Sequence, residues 1–254
     1  MLHYMKLTQE PFYKMKSGLK TIELRLNDEK RQKVNVGDFI EFTLIGDDTE
    51  KITVRVTALH HFKSFYELFD VIPKEKMGYT KNELFDASHM EKFYSKENQE
   101  KYGALGIEVR MTDLQKFINA QENGYSFGET YQTALSEIRN GMKESHWIWY
   151  VFPQIKGLGI SSTTTYFSIR DLNEAVDYIQ HPVLRTRLIE ISSELLKLPM
   201  NDPMNIFGYP DCYKLRSCMT LFKYAEPDEP VFQQVLEKFC NSTEDNKTLE
   251  ILGK

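Results

Sequence analysis

The stretch Gly18-Leu19-Lys20-Thr21-Ile22-Glu23-Leu24-Arg25-Leu26 decides the fold class of the N-terminal half. From Lys20 to Leu26 the side chains alternate. Ile22, Leu24 and Leu26 fall on one face, and Thr21, Glu23 and Arg25 on the other. A period of two predicts a half-buried β-strand. Phe39–Leu44 and Ile52–Ala58 alternate in the same way, and Gly106–Met111 closes the set. Short helical candidates lie between them. Pro11 to Ser17 ends at Gly18, a C-cap residue. Ser64 and Ser95 are placed to cap Phe65–Phe69 and Lys96–Lys101. Several short strands with a few helices predict a small, partly open β-barrel.

The texture changes near residue 112, where the apolar period becomes helical. Thr112-Asp-Leu-Gln115 has the capping-box spacing, with Leu114, Phe117 and Ile118 as an apolar face. Further helices are predicted over Tyr131–Asn140 (stopped by Gly141), Asp171–Gln180, Pro182–Leu198, Asp211–Tyr224 and Pro230–Cys240, and Asp245 is placed to cap a last short one. Leu184, Leu188, Ile191, Leu195 and Leu198 mark one buried stripe. Trp147–Ile169 reads as irregular or extended. The fold class is therefore α+β. A small β-barrel with short helices is predicted over residues 1–111, and a mostly helical domain over 112–254. The junction has no Pro, Gly or Ser tract, which predicts closely packed domains rather than a flexible tether.

At 254 residues with 41% hydrophobic side chains, each domain is large enough to bury a core, and a disordered chain is excluded. The three cysteines are odd in number and form no C-x-x-C pair, so a disulfide framework and a structural zinc site are not expected. No metal or other cofactor is expected. A reducing, cytoplasmic setting is expected, with no signal peptide and no membrane span. Residues 1–112 carry 18 basic and 18 acidic side chains, so the net charge of −5 belongs wholly to the rest of the chain. A broad basic surface wrapping a long duplex is disfavoured, and any nucleic-acid recognition would be local and pocket-like.

In the signature strand, a Lys, a Glu and an Arg within six residues can hold a planar polar ligand. Arg contributes a rigid donor fork and Lys a point charge. The plainer alternative is an ion pair on a solvated face. The segment continues through Val36-Gly-Asp38-Phe-Ile-Glu-Phe42, and a complete G-x-K-x-x-E-x-R signature stands at Gly18, Lys20, Glu23 and Arg25. Together with His61–Phe65, Met90–Ser95 and Tyr102–Glu108, these residues resemble an ASCH domain from residue 1 to about 111. The resemblance implies a PUA-like barrel with a cleft beside the signature strand, and a role in RNA or modified-nucleoside recognition. Some small members are amidohydrolases that deacetylate acetylated cytidine with a Lys, a Thr nucleophile and a Glu. Lys20 matches the Lys and Glu75 loosely matches the Glu, but Glu23 stands where the nucleophile should be. Thr21 lies one pleat repeat away. An amide-cleaving nucleophile must be a hydroxyl or thiol beside its base, so Glu23 would instead have to activate water. The adjacent His60 and His61 point to opposite faces of a strand and read as surface or structural residues.

In the second half, Arg139, Lys143, His146, Trp147, Trp149 and Gln154 precede Gly157-Leu-Gly159 and a run of hydroxyls. Lys214, Arg216 and Ser217 follow on a later helix. Basic groups with aromatics can bind a nucleotide, and a glycine turn followed by hydroxyls can cradle phosphate. The plainer readings are core tryptophans, a solvated helix face, and cysteines packed as small hydrophobes. Ser145–Trp149, Phe152-Pro-Gln154, Gly157–Ser161, Phe207-Gly208 and Lys214–Phe222 resemble a bacterial family of unknown function (the DUF-eighteen-ten family, sometimes labelled calpastatin-like) across 113–254. The resemblance implies a helical domain and no activity. The label is set aside, because a protease-inhibitor repeat would be disordered and this composition is globular.

The reading is a bacterial two-domain protein that binds RNA or a modified nucleoside in a PUA-like cleft. Lys20, Glu23 and Glu75 are its candidate reactive residues, and Thr21 and Arg25 its candidate ligand contacts. The alternatives are a hydrolase acting on a modified nucleoside such as acetylated cytidine, or a nucleotide or phosphate site in the helical half. That second site would be formed by Arg139, Lys143, His146, Trp147, Gln154, Lys214 and Ser217. The expected partner is RNA or a nucleoside or nucleotide ligand, with no membrane; a protein partner stays open.

Overall fold

The computed structural model describes residues 1–80, 82–83 and 86–254. Its fold is α+β, in two units, Met1–Asp113 and Leu114–Lys254. The first runs β1 (Leu2–Leu7), α1 (Gln9–Lys16), β2 (Ile22–Leu26), β3 (Phe39–Leu44), β4 (Asp47–Phe62), α2 (Phe65–Val71), α3 (Lys96–Tyr102) and β5 (Ala104–Met111). The strands form one curled half-barrel sheet in the order β1-β3-β4-β5-β2. β1 is parallel to β3, with Met5 opposite Phe42, and the other pairings are antiparallel. The two-residue turn Ile45-Gly46 joins β3 to β4, and Gly46 supplies the positive φ it needs (+97°).

The pleat sorts side chains as the alternation predicts. Ile40, Phe42, Val54, Val56, Leu105 and Ile107 face a core that Phe12 and Met15 of α1 also enter. The apolar face of β2 goes elsewhere. Ile22, Leu24 and Leu26 pack with Phe65, Leu68 and Ile72 in a second cluster. The opposite face of β2, carrying Glu23 and Arg25, is thereby turned toward β1 and α1. Each core side chain of this size contributes roughly 1.5–3 kcal/mol by leaving water. Ser64 and Ser95 cap α2 and α3 as predicted, accepting the amide protons of Glu67 and Asn98.

The second unit is helical: α4 (Gln115–Asn123), α5 (Tyr131–Arg139), α6 (Ile148–Val151), α7 (Ser162–Tyr166), α8 (Leu172–Gln180), α9 (Pro182–Lys197), α10 (Pro203–Phe207), α11 (Asp211–Ala225), α12 (Pro230–Cys240) and α13 (Asn246–Leu252). Helix α11 packs on α8, α10, α12 and α13, which explains why Leu215, Cys218, Met219, Leu221 and Phe222 are all buried. Tyr178 of α8 meets Phe117 edge-on at 5.2 Å and Phe222 at 5.1 Å.

Two expectations need correction. Thr112 caps nothing. Its hydroxyl donates to the carbonyl of Thr53 at 2.7 Å, and α4 begins behind Leu114 without a side-chain cap. Trp147–Ile169 is not wholly irregular, because it contains α6, α7 and a bridge between Ile155 and Ile169. Strand β1 and helix α10 also went unmarked in the sequence. No helix among the described residues is long and apolar enough to cross a membrane.

Candidate functional site

Beside β2 lies a cavity of about 480 Å³. Its walls come from β1, α1, β2, the turn after β3, and two chain segments, 77–79 and 89–94. Lys20, Glu23 and Arg25 all reach it. Lys20 and Glu23 are 6% and 5% exposed, which rules out an ion pair on a solvated face. Glu23 sits between two cations, with Oε2 at 3.4 Å from Lys20 Nζ and Oε1 at 3.0 Å from Arg25 Nε. Lys20 Nζ also donates to the carbonyls of Ile22 (2.7 Å) and Met77 (3.3 Å). Its three donors thus meet three acceptors inside the protein. Arg25 Nη2 donates to the carbonyl of Lys6 at 2.8 Å, tying β2 to β1.

Burial pushes the Lys20 ammonium below its ordinary range, and the neighbouring Glu23 works against that shift. Arg25 is also penalised by burial, but Glu23 and Tyr94 outweigh the penalty and raise it. The floor is therefore a fixed polar surface. Glu23 accepts, Arg25 donates, and neither is free to swing. Tyr79, Phe93 and Tyr94 add aromatic surface around it, and Tyr94 is itself stacked on Phe65 at 5.7 Å with the rings 5° from parallel. Such a floor and wall match what a planar heterocycle needs: hydrogen bonds at its edge and apolar contact on its faces.

Two of the predicted residues are not part of this site. Glu75 is exposed in a 3-10 turn (Lys74–Met77) and does not line the cavity. Thr21 does not line it either; its amide and carbonyl bond Lys76 and Val109 and hold the strand entrance between two neighbours. Others went unsignalled in the sequence: Thr8, Lys14, Tyr79, His89 and Lys92 all line the cavity. They lie on separate elements, which come together only when β1, α1 and the segments 77–79 and 89–94 close around β2. His60 bonds Glu108 at 2.9 Å on the surface, and Lys76 reaches the same carboxylate.

In the helical unit, part of the predicted constellation assembles. Lys143 and Lys214 both pair with Asp211, at 2.8 and 2.7 Å. Each also lies over an indole, Lys143 over Trp147 at 5.6 Å and Lys214 over Trp149 at 4.6 Å. His146 stacks on Trp149. Trp147 is fully buried and donates Nε1–H to Glu137, which also takes the Ser145 hydroxyl and the amides of Glu144 and Ser145. These hydrogen bonds hold the Glu137 carboxyl below its usual range against the opposing effect of burial. The remaining predicted members stand apart. Arg139 pairs with Glu190 and Glu194. Ser217 is buried and bonds the carbonyl of Tyr213 within its own helix. Gln154 is half-buried, and its carbonyl receives the amide of Ile169.

The glycine turn has a packing explanation. A Cβ on Gly159 would lie 2.6 Å from Thr164 Cγ2. The Ser161 hydroxyl in turn accepts the Thr164 amide as the cap of α7. Cys212 and Cys218 are buried and unbridged, and burial pushes the Cys218 thiol well up.

Comparison with known families gives two matches. Residues 5–113 match the family described as ASCH domain, and residues 111–252 match the one described as Protein of unknown function (DUF1810). Among solved structures, the conserved hypothetical protein Rv1873 from Mycobacterium tuberculosis is 37% identical. It aligns with 56% of this chain and 97% of its own, with a TM-score of 0.52. Two smaller proteins are each 30% identical over 44% of this chain. The hypothetical protein PH0355 is covered over 99% of its length with a TM-score of 0.36, and PF0455 from Pyrococcus furiosus over 97% with a TM-score of 0.34. No curated protein matches the chain.

Proposed function

We propose, for a chain that belongs to the DUF1810 family and carries an ASCH domain ahead of that region, that the cavity beside β2 binds a nucleobase, presented by a modified nucleoside or by RNA. The ASCH domain is consistent with a PUA-like RNA-binding fold. One observation carries the finer reading. A Lys, a Glu and an Arg are locked together, nearly out of water, in a cavity whose wall is aromatic and whose volume suits one nucleoside. Taking charges out of water costs several kcal/mol per ion unless they are paired, so an arrangement of this kind specifies geometry more than it stabilises the fold.

The hydrolase alternative has one observation in favour, the burial that lowers Lys20 toward the range of a general base. Two observations oppose it. Lys20 Nζ already faces three acceptors, and Glu75, the residue expected to assist it, lies outside the cavity. The reading is therefore a binding module. Incubation of the full chain with acetylated cytidine, other modified nucleosides and a small RNA pool, followed by mass spectrometry and equilibrium binding, tests it. Saturable binding without new products supports it. Turnover that is lost in Lys20→Ala overturns it in favour of the enzyme.

A further inference from the structure

The cavity concentrates positive charge on a unit that has no excess of it. Five lysine or arginine side chains reach the cavity (Lys6, Lys14, Lys20, Arg25 and Lys92) against two glutamates, Glu10 and Glu23. Residues 1–112, in contrast, balance 18 cations with 18 anions. Glu23 is committed to the floor. Glu10 holds Lys14 at 2.6 Å, but Glu10 is 74% exposed, and a pair so open to solvent is weak.

The chain also goes out of its way to bring two of these lysines together. Gly78 lies between them with φ +92°, and a Cβ there would come within 3.2 Å of both Lys14 Cδ and Lys20 Cβ. A side chain here would press on both stems, and the positive φ itself favours glycine. The proximity has an electrostatic consequence, because Lys14 is among the charges that lower Lys20. Lys92 is exposed on the other contributing segment and has no fixed anionic partner among the described residues. A nucleoside is neutral at pH 7 and gives this charge nothing to meet. A phosphate monoester carries one to two negative charges on three non-bridging oxygens, and a backbone diester one charge on two.

We propose that the ligand read in this cavity bears a phosphate, which Lys14 and Lys92 hold at the mouth while the base lies on the Lys20–Glu23–Arg25 floor. This rests on the base-binding reading above. The phosphate comes either from a free nucleotide or from the backbone of a single-stranded RNA.

The test is calorimetric titration of the full chain at low salt with the four nucleosides, their 5′-monophosphates and a mixed-sequence RNA pentamer. For at least one base, the monophosphate or the pentamer binds at least tenfold more tightly than the nucleoside. Lys14→Gln with Lys92→Ala brings that ratio to about one, whereas Lys101→Ala, an exposed lysine away from the cavity, leaves it unchanged. A preference for monophosphate assigns a free nucleotide, and one for pentamer alone assigns a strand. If nucleoside and phosphorylated forms bind within twofold of each other, the phosphate proposal falls and the base reading stands. If none of the three classes binds, the phosphate proposal falls, and the modified-nucleoside titration above decides the base reading.

Discussion

Glu23 is the residue on which the site turns, because its carboxylate is shared by Lys20 and Arg25 in a nearly dry setting. Removing one partner of a buried pair costs about 3–5 kcal/mol, since the group left behind keeps its desolvation penalty. Glu23→Leu orphans two cations. Lys20→Met orphans none, because Arg25 still meets Glu23. Denaturant unfolding should therefore show Glu23→Leu losing more stability than Lys20→Met. The reverse ranking would contradict the shared-carboxylate geometry. A second residue carries a pH signature. His181 is fully buried between α8 and α9, and burial, helped by Arg187, pushes it down to about 4 from an ordinary 6.5. A histidine depressed in the folded state gives its full contribution above pH 6.5 and loses it as pH falls toward 4, where the unfolded chain binds the proton first. Between pH 7 and pH 5 the loss is about 2 kcal/mol. His181→Leu should remove that slope, and an unchanged slope would assign it to other groups.

At the scale of single elements, caps matter most in the helical unit. Asp171 accepts the Glu174 amide at 2.9 Å, and Glu174, itself buried, reaches back to the Arg170 amide. Asp171→Ala should cost about 1 kcal/mol, read as a lowered unfolding midpoint with unchanged denaturant dependence. The caps at Ser64, Ser95 and Asp245 were legible in the sequence because they are local, whereas Asp171 read as the first residue of its helix. The alternating strands were legible for the same reason, since a pleat writes its period directly into neighbouring residues. Thr112 shows where local reading stops. The spacing fits a cap, but a β-strand carbonyl 59 residues away took the hydroxyl. Strand β1 escaped notice because its pairing with β3 is parallel and long-range, and because His3 interrupts its apolar pattern to reach Asp38 at 2.8 Å. The signature triad was legible from spacing and resemblance together. Its burial was not, because nothing in Lys20–Arg25 reveals that β1 and α1 lie over the polar face. Glu75 rested on a loose resemblance alone, and the exposed 3-10 turn that carries it leaves it outside the cavity lining.

At the scale of the whole molecule, charge decides what kind of binding the proposed function allows. The chain carries −5 overall while its cavity carries an excess of three cations. Lys6 already meets Asp48, which leaves charge there for about two phosphates. For a single strand, the slope of log K against log salt is about −0.7 per neutralised phosphate, which gives about −1.4 for two. A slope near −5 or steeper would mean a broad basic surface and would contradict a pocket-like reader. The helical unit holds the competing cluster, where Lys143 is only 7% exposed and, like Lys214, is already satisfied by Asp211 and an indole. That saturation reads as a structural clamp rather than a waiting site.

The most direct test of the central claim is amide chemical-shift mapping of the full chain titrated with cytidine 5′-monophosphate and, separately, with a short single-stranded RNA. Saturable shifts confined to the Lys20–Arg25 strand and to segments 77–79 and 89–94 are the predicted result. Shifts centred instead on residues 137–149 and 211–217 would place the ligand on the helical unit and contradict the account.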